Sequence, residues 1–163
     1  MSKMGAKKQK WSIGDLFAIP RKDGRYIAGQ VIGREPEVLN SVSVALFDEV
    51  RDQPEQVASV SLSEDRLFSS LFATRDLLDS GYWKVVHNRP VSVPTRLFPF
   101  ERTRASGFVG AKVIGSAIVN EFVNAYFALV PWDDWKDPTY LDKLLVSPAK
   151  KPVRLLLKGS PSA

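Results

Sequence analysis

The sequence of 163 residues contains no cysteine and only one histidine. The lack of cysteine excludes disulfides, cysteine-ligated zinc or iron–sulfur sites and a thiol nucleophile. A metal site would need His87 with carboxylates or carboxylates alone, so we expect a structural or surface role for His87. No stretch approaches the 18 apolar residues of a membrane-spanning helix, and polar residues after Trp11 interrupt any signal-peptide core. These absences predict a soluble, cytoplasmic protein that has no contact with a membrane.

Catalytic motifs are also incomplete. Residues 110–116 (GAKVIGS) have the two glycines of a phosphate-binding loop, but Ser116 stands where that loop needs lysine. No serine lies in a nucleophile elbow, and the acidic pairs are adjacent in sequence, whereas acid–base catalysis holds two carboxyl groups apart across a substrate. The sequence therefore predicts a protein that is not an enzyme, with no catalytic residue, no cofactor and no metal.

The net charge of +5, with a pI near 9.5, suggests an anionic partner. The positive charge is concentrated at the ends, because residues 1–10 and residues 148–163 each carry +4 and no acid. All acidic residues lie in residues 11–147, whose net charge is −3. We expect a basic disordered arm over residues 1–10, a single globular domain over 11–158 and a flexible tail over 159–163.

Five segments have the β-rich patterns of strands: residues 16–19, 26–32, 42–47, 67–72 and 82–86. Asp23-Gly24 supplies the turn between the first two, and Gly29 suggests a bulge or bend. Ser61 and Glu64 could instead open a helix before the fourth segment, but its aromatic and serine residues favour a strand. Residues 153–157 could add a last strand.

Three segments have helical patterns. Thr74 and Gly81 are placed as the N-cap and the stop of a short helix. Ser116 is placed as the cap of an amphipathic helix, and Asp137-Pro138 opens a second, shorter C-terminal helix. The predicted class is α+β and mostly β: a small, strongly curved antiparallel or barrel-like sheet with two C-terminal helices packed on it.

Two acidic segments are candidates for binding a protein partner. One is the polar loop that follows the third strand, with Asp48, Glu49 and Asp52. The other is the sharp turn over residues 131–137, where two tryptophans flank two acids, and tryptophan is enriched at interface hot spots. Its candidate residues are Trp132, Asp133, Asp134 and Trp135.

An alternative candidate is an RNA- or DNA-binding segment at residues 96–104. Phe98, Phe100, Arg102 and Arg104 interleave rings that could stack on bases with cations that could hold phosphates. The acidic body and the absence of a known nucleic-acid-binding motif weigh against this function.

Several segments resemble the bacterial immunity protein 26 family of polymorphic toxin systems. They are residues 13–20 (IGDLFAIP), 23–26 (DGRY), 29–31 (GQV), 81–86 (GYWKVV), 88–90 (NRP) and 137–145 (DPTYLDKLL). The resemblance implies a mostly β domain with C-terminal helices. It also implies that the protein neutralises, by binding, a toxin made by the same or a neighbouring cell, and it carries over no binding residues.

The expected partner is therefore a cognate toxin protein, encoded by a neighbouring gene. Nuclease toxins that act in the cytosol are generally cationic, and an acidic inhibitor steers such a partner towards itself. The acidic body, rather than the basic ends, is compatible with that partner.

Overall fold

The computed structural model describes residues 8–99, 101 and 112–159. In these residues, six strands form one open sheet in the order β5-β1-β2-β3-β4-β6. The strands are β1 (Asp15–Pro20), β2 (Tyr26–Glu35), β3 (Ser41–Arg51), β4 (Leu67–Ala73), β5 (Lys84–Asn88) and β6 (Val113–Ile114). Neighbouring strands are antiparallel, except that β6 pairs with β4 in parallel.

Two α-helices lie entirely in the described part of the chain, α1 (Asp76–Ser80) and α2 (Ser116–Tyr126). The described residues also form 3-10 helices at Pro54–Ser59, Glu64–Arg66, Thr95–Leu97, Tyr140–Leu144 and Pro148–Lys150. The predicted α+β class, with most of its regular structure in the sheet, is confirmed. The barrel-like closure is not confirmed, because the sheet is open and mixed.

The second predicted C-terminal helix is also not confirmed as an α-helix. Asp137 Oδ1 accepts hydrogen bonds from both the backbone N and the Oγ1 of Thr139, at 2.9 and 2.8 Å. This local turn delays the helix, and the chain then makes the 3-10 helix Tyr140–Leu144. Its apolar stripe is nevertheless used, because Leu141 and Leu144 are buried.

The strands are apolar on both sides because both faces of the sheet are covered. In β1, Phe17 and Ile19 join the core beneath α2, whereas Leu16 and Ala18 join a second core. That second core is completed by Val57 of the 3-10 helix Pro54–Ser59 and by partly buried residues of segment 91–98. A sheet buried on both faces produces nearly continuous apolar strands instead of strict alternation.

Gly29 of β2 is required by the close approach of an aromatic ring. A Cβ atom at this position would lie 2.5 Å from Cζ of Phe17. The ring of Phe17 in turn stacks on Trp83, with centroids 5.2 Å apart and an interplanar angle of 14°. The register shifts of the β2–β3 pair lie on either side of Gly29, at Ile27/Ala28 and Val31/Gly33.

The predicted helix caps Thr74 and Ser116 are wrong, and the hydroxyl groups of both residues bind the carboxylate of Asp76 instead. The N-caps of α1 and α2 are Arg75 and Gly115, and neither Thr74 nor Ser116 occupies the cap position. Their hydroxyl groups instead donate to Asp76 Oδ1, at 2.6 and 2.7 Å. Asp76 therefore joins the starts of α1 and α2, and these hydrogen bonds lower its pKa.

Other local predictions have mixed outcomes. Gly81 ends α1 with a φ of +86°, as its position predicted. The β1–β2 hairpin is confirmed with Leu16 opposite Gln30 and Pro20 opposite Tyr26. The last strand is not formed as a strand, since the described C-terminal segment makes only an isolated parallel bridge between Pro131 and Leu156.

We expect Gly29→Ala to destabilise the protein by about 2 kcal/mol, because the added methyl group overlaps the Phe17 ring. The matched variant Gly115→Ala meets only Ile118 Cδ1, at 3.9 Å, and should cost less than about 1 kcal/mol. Urea unfolding monitored by circular dichroism measures both values. Equal losses in the two variants would contradict the role given to the Phe17 ring.

Candidate partner-binding surface

Helix α2 is held between the core and the β1–β2 turn. Val119, Phe122 and Val123 are buried in the core beneath it. Its polar face is also anchored, because Asn120 Oδ1 accepts a hydrogen bond from Trp83 Nε1 at 2.9 Å. One turn later, Asn124 Oδ1 accepts a hydrogen bond from the backbone N of Lys22 at 2.7 Å. Asn124 thus fixes the helix to the β1–β2 turn, and Asn120 fixes it to Trp83, just before β5.

A cleft of about 390 Å³ lies between α2 and the β1–β2 turn, and we call it the α2 cleft. Its lining residues are Pro20, Arg21, Lys22, Tyr82, Ala117, Asn120, Glu121 and Asn124. None of them is among the candidate site residues predicted from the sequence. Asparagines four residues apart on the polar face of α2 were the available signal, but only the fold places the β1–β2 turn opposite them.

Trp132, the first tryptophan of the predicted contact turn, lies in the core. It is 1% exposed, and its ring centroid is 6.0 Å from that of Phe122. Its Nε1 donates to Asp142 Oδ1 at 2.7 Å. Burial acts to raise the pKa of Asp142, but the hydrogen bonds from Trp132 and Lys151 outweigh it and lower that pKa. Trp132 thus anchors the turn.

The other three residues of the turn are more accessible. Asp133 Oδ1 accepts a hydrogen bond from the backbone N of Lys158 at 2.6 Å. The Asp134 carboxylate is 3.4 Å from Lys158 Nζ, and both side chains of this ion pair are more than half exposed. Trp135 is half-buried and packs against Tyr140, with ring centroids 5.0 Å apart.

The turn and the α2 cleft belong to one continuous surface. A hollow of about 50 Å³ lies beside the turn, and its lining residues are Glu121, Val130, Pro131, Asp134 and Trp135. Glu121 also lines the α2 cleft. The exposed side of α2 therefore connects Asp134 and Trp135 to the β1–β2 turn.

The acidic segment around Asp48 is the end of a strand and not a loop, because β3 continues to Arg51. Glu49 is largely enclosed, with its side chain 11% exposed, and its carboxylate oxygens lie 3.1 Å from Arg51 Nη2 and 3.4 Å from Arg66 Nε. By contrast, Asp52 is 74% exposed and pairs with Arg25 at 2.9 Å. Of these three acids, Asp52 is the most accessible to a partner.

Asp48 contacts the C-terminal end of α2. Its Oδ2 accepts a hydrogen bond from the hydroxyl of Tyr126 at 3.3 Å. Burial of the phenol, followed by the charge of Asp48, raises the pKa of Tyr126 above its usual value. Asp48 is thus tied to the helix that forms one wall of the α2 cleft.

The predicted nucleic-acid segment falls largely outside the described residues. Phe100, Arg102 and Arg104 lie there, and only Phe98 can be placed. Phe98 is half-buried and packs against the second core. Nη2 of the nearby Arg96 donates to both carboxylate oxygens of Glu64, at 3.0 and 2.8 Å.

The lysines near the C-terminus have acceptors on the body of the protein. Lys158 pairs with Asp134, and Lys151 pairs with Asp142 at 3.1 Å. Lys150 Nζ donates to the carbonyl oxygen of Asp65 at 2.9 Å. Two of these three lysines are therefore paired with carboxylates, and the third with backbone carbonyl oxygens.

Across the described ranges, no helix is long and apolar enough to span a bilayer. In the same residues, no three histidine, aspartate or glutamate side chains are grouped as a metal site would require. The geometry of this surface, with a polar cleft beside an aromatic and acidic turn, provides groups for noncovalent binding.

The sequence of the chain matches one known family. The family model described as Immunity protein 26 (Imm26) matches residues 12–108. Because the match covers more than half of the chain, the chain belongs to the Imm26 family, as the resemblance in the sequence indicated. No curated protein and no solved structure matches the chain. The match contains β1–β5 but ends before α2, so the α2 cleft combines family-matched residues with residues beyond them.

The anchor at Trp132 predicts a pH-dependent contribution to stability. Because the pKa of Asp142 is lowered in the folded state, its ionised form stabilises the fold fully at a pH above the usual pKa of 3.8. This contribution is lost as the pH falls through the lower pKa of the folded state. We expect Asp142→Asn to reduce the free energy of unfolding by up to about 1 kcal/mol at pH 7, since solvent screens this partly exposed group.

The difference between Asp142→Asn and the wild type should disappear as the pH falls below 3.8 and the wild-type carboxylate is protonated. Urea unfolding followed by tryptophan fluorescence, at pH 7 and at successively lower pH, measures it. Glu37→Gln, at an exposed position in the β2–β3 turn, is the charge-matched control. A deficit that persists undiminished in acid would contradict the assignment to the Asp142 carboxylate.

Proposed function

We propose that this chain is a non-catalytic cytoplasmic immunity protein of a bacterial polymorphic toxin system, which neutralises its cognate toxin by direct protein–protein binding. The observation that carries the proposal is membership of the Imm26 family. Inhibition by binding needs a complementary surface but no reacting group. The failure of each catalytic motif in the sequence agrees with such a function.

We propose that the toxin contacts the surface along α2 and its neighbouring turn. Asp134 and Trp135 supply an accessible charge and a half-buried aromatic ring, and Asp133 holds the adjacent backbone. Trp132 supports this contact from the core. Trp135 resembles an interface anchor, because aromatic residues next to desolvated pockets dominate binding energies.

The acids at the end of β3 form a second part of the proposed contact. Asp52 is the exposed charge there, whereas Glu49 and Asp48 are held by Arg51, Arg66 and Tyr126. Exposed acids at separate places on the body would accelerate association with a cationic toxin through long-range attraction. The alternative function in nucleic-acid binding gains no support from the family match or from Phe98, so we do not propose it.

Co-expression tests the proposal. We expect the product of the neighbouring gene to arrest growth when it is expressed alone in a bacterial host, and expect this chain to restore growth. A matched control is Val119→Asp, which places an unpaired carboxylate in the core and should abolish both folding and rescue. A neighbouring product that is harmless alone and does not bind this chain would contradict the proposal.

Charge reversal then locates the contact. Asp134→Lys should weaken toxin binding at least about tenfold, which corresponds to about 1.4 kcal/mol, because it places a cation against a cationic partner. Asp52→Lys tests the β3 end in the same way. Glu37→Lys makes the same charge change in the β2–β3 turn and should alter the affinity less than about twofold. Surface plasmon resonance at two salt concentrations measures the constants.

Asp134 and Asp52 are suited to this test because each makes an exposed ion pair. Such pairs contribute about 0–1 kcal/mol, so the variants should keep the fold, as circular dichroism would verify. If Asp134→Lys binds like Glu37→Lys, the turn is not the contact. If Asp52→Lys also binds the toxin as tightly as Glu37→Lys does, neither acidic region contacts the toxin.

A further inference from the structure

We infer that the α2 cleft is a binding site for a carboxylate side chain of an acidic segment in the protein partner. This inference rests on the proposed function, and it adds the chemistry of one contact. It comes from hydrogen-bond donors that the fold directs into the cleft and leaves unpaired. The acidic turn next to the cleft was expected to bind a cationic partner, whereas the cleft itself favours an anionic group.

The amide orientations of Asn120 and Asn124 are determined by their partners. Trp83 Nε1 and the backbone N of Lys22 are both donors, so the amide atom facing each of them must be the oxygen. Each Nδ2 group, with two N–H donors, is consequently turned the other way. Both residues line the α2 cleft.

The Nδ2 groups are unpaired but reach solvent. Among the described residues, neither Nδ2 has a hydrogen-bond acceptor, and neither is a fully buried unpaired atom. Asn124 is only 8% exposed, so the solvent it reaches is that of the cleft it lines. An enclosed amide whose donors have no acceptor among the described residues is ready to donate to a ligand oxygen.

Two cations lie on the same wall. Lys22 is exposed, and its ammonium group makes no ion pair within the described residues. The side chain of Arg21 is 8% exposed, pairs with Asp23 at 2.5 Å and lies over the Phe127 ring, and its Nε has no partner. The charge of Arg21 is offset by Asp23, so Lys22 supplies the unpaired positive charge of the cleft.

The balance of groups favours an anionic oxygen ligand. Asn120, Asn124 and Lys22 offer donors, whereas Glu121 supplies the one carboxylate among the lining residues. Tyr82 is 53% exposed and adds a hydroxyl at the opening. A carboxylate accepts several hydrogen bonds at once, and such charge-assisted bonds are roughly twice as strong as neutral ones. A carbonyl or amide ligand would gain less from the cations.

A pair of matched peptides tests the inference without the toxin. The full chain, labelled with ¹⁵N, is titrated with acetyl-Gly-Glu-Gly-amide and with acetyl-Gly-Gln-Gly-amide at constant ionic strength. We expect the side-chain amide signals of Asn120 and Asn124 to shift and saturate with the Glu peptide, with Kd on the order of millimolar, and not with the Gln peptide. Equal responses to the two peptides would overturn the inference.

Asparagine-to-aspartate variants separate ligand binding from folding. Asn120→Asp and Asn124→Asp keep the oxygen that accepts from Trp83 or Lys22, but replace the cleft-facing donor with a negatively charged acceptor. Each should weaken Glu-peptide binding at least about tenfold while circular dichroism stays unchanged. Glu121→Gln removes the repelling carboxylate and should strengthen binding. Wild-type affinity in both aspartate variants would refute the site.

Two further arms identify the source of the ligand. Inorganic phosphate should compete with the Glu peptide only weakly, and a phosphate affinity above that of the peptide would overturn the assignment to a carboxylate. With the toxin, Asn120→Asp and Asn124→Asp should each lower the affinity about tenfold. Unchanged toxin affinity would overturn the partner assignment. Absence of any wild-type toxin binding would instead refute the proposed function, leaving the peptide result as the separate measure of the cleft.

Discussion

The stack of Phe17 on Trp83 is the interaction on which the rest of the structure depends. The Phe17 ring of β1 occupies the space that a side chain at position 29 of β2 would need. Glycine at that position therefore lets the ring lie against β2 and stack on Trp83. Trp83 is fully buried, and its only side-chain donor binds Asn120 of α2. The same contact therefore orders the sheet core, positions the helix across it and turns the Asn120 amide so that its donors face the α2 cleft.

Charge acts locally in this molecule, and its net value is a poor guide to the partner. The net charge of +5 suggests an anionic ligand, but the described C-terminal lysines are matched by Asp134, Asp142 and backbone carbonyl groups. The accessible charged and polar groups lie in separate regions: acids at the turn and at the end of β3, and hydrogen-bond donors in the α2 cleft. Such a pattern favours one partner and orientation over others, because like charges opposed in a wrong pairing cost several kcal/mol.

The sequence predicted the local features well, because hydrophobic pattern and turn chemistry are local. The β1–β2 hairpin follows from Asp23-Gly24, and the end of α1 follows from Gly81. Features that depend on distant contacts were mispredicted. Ser116 is a residue type that often caps helices, yet its hydroxyl binds Asp76, which lies 40 residues away in sequence and is brought near when β4 pairs with β6. The α2 cleft could not be predicted for the same reason, since its two walls are about 100 residues apart in sequence.

Trp132 shows why a sequence pattern alone does not define a partner-binding contact. Two tryptophans flanking two acids indicate an interface, but the fold places Trp132 beneath the turn and leaves Trp135 half-buried at its edge. Burial of one ring restricts the backbone that carries Asp133 and Asp134, so less conformational entropy is lost when a partner binds. The same logic holds at α2, where Asn120 and Asn124 each use the amide oxygen to fix the helix, which also fixes the orientation of the Nδ2 group that lines the α2 cleft. If the proposed function holds, groups that are oriented in this way before binding lower the entropy cost of association with the toxin.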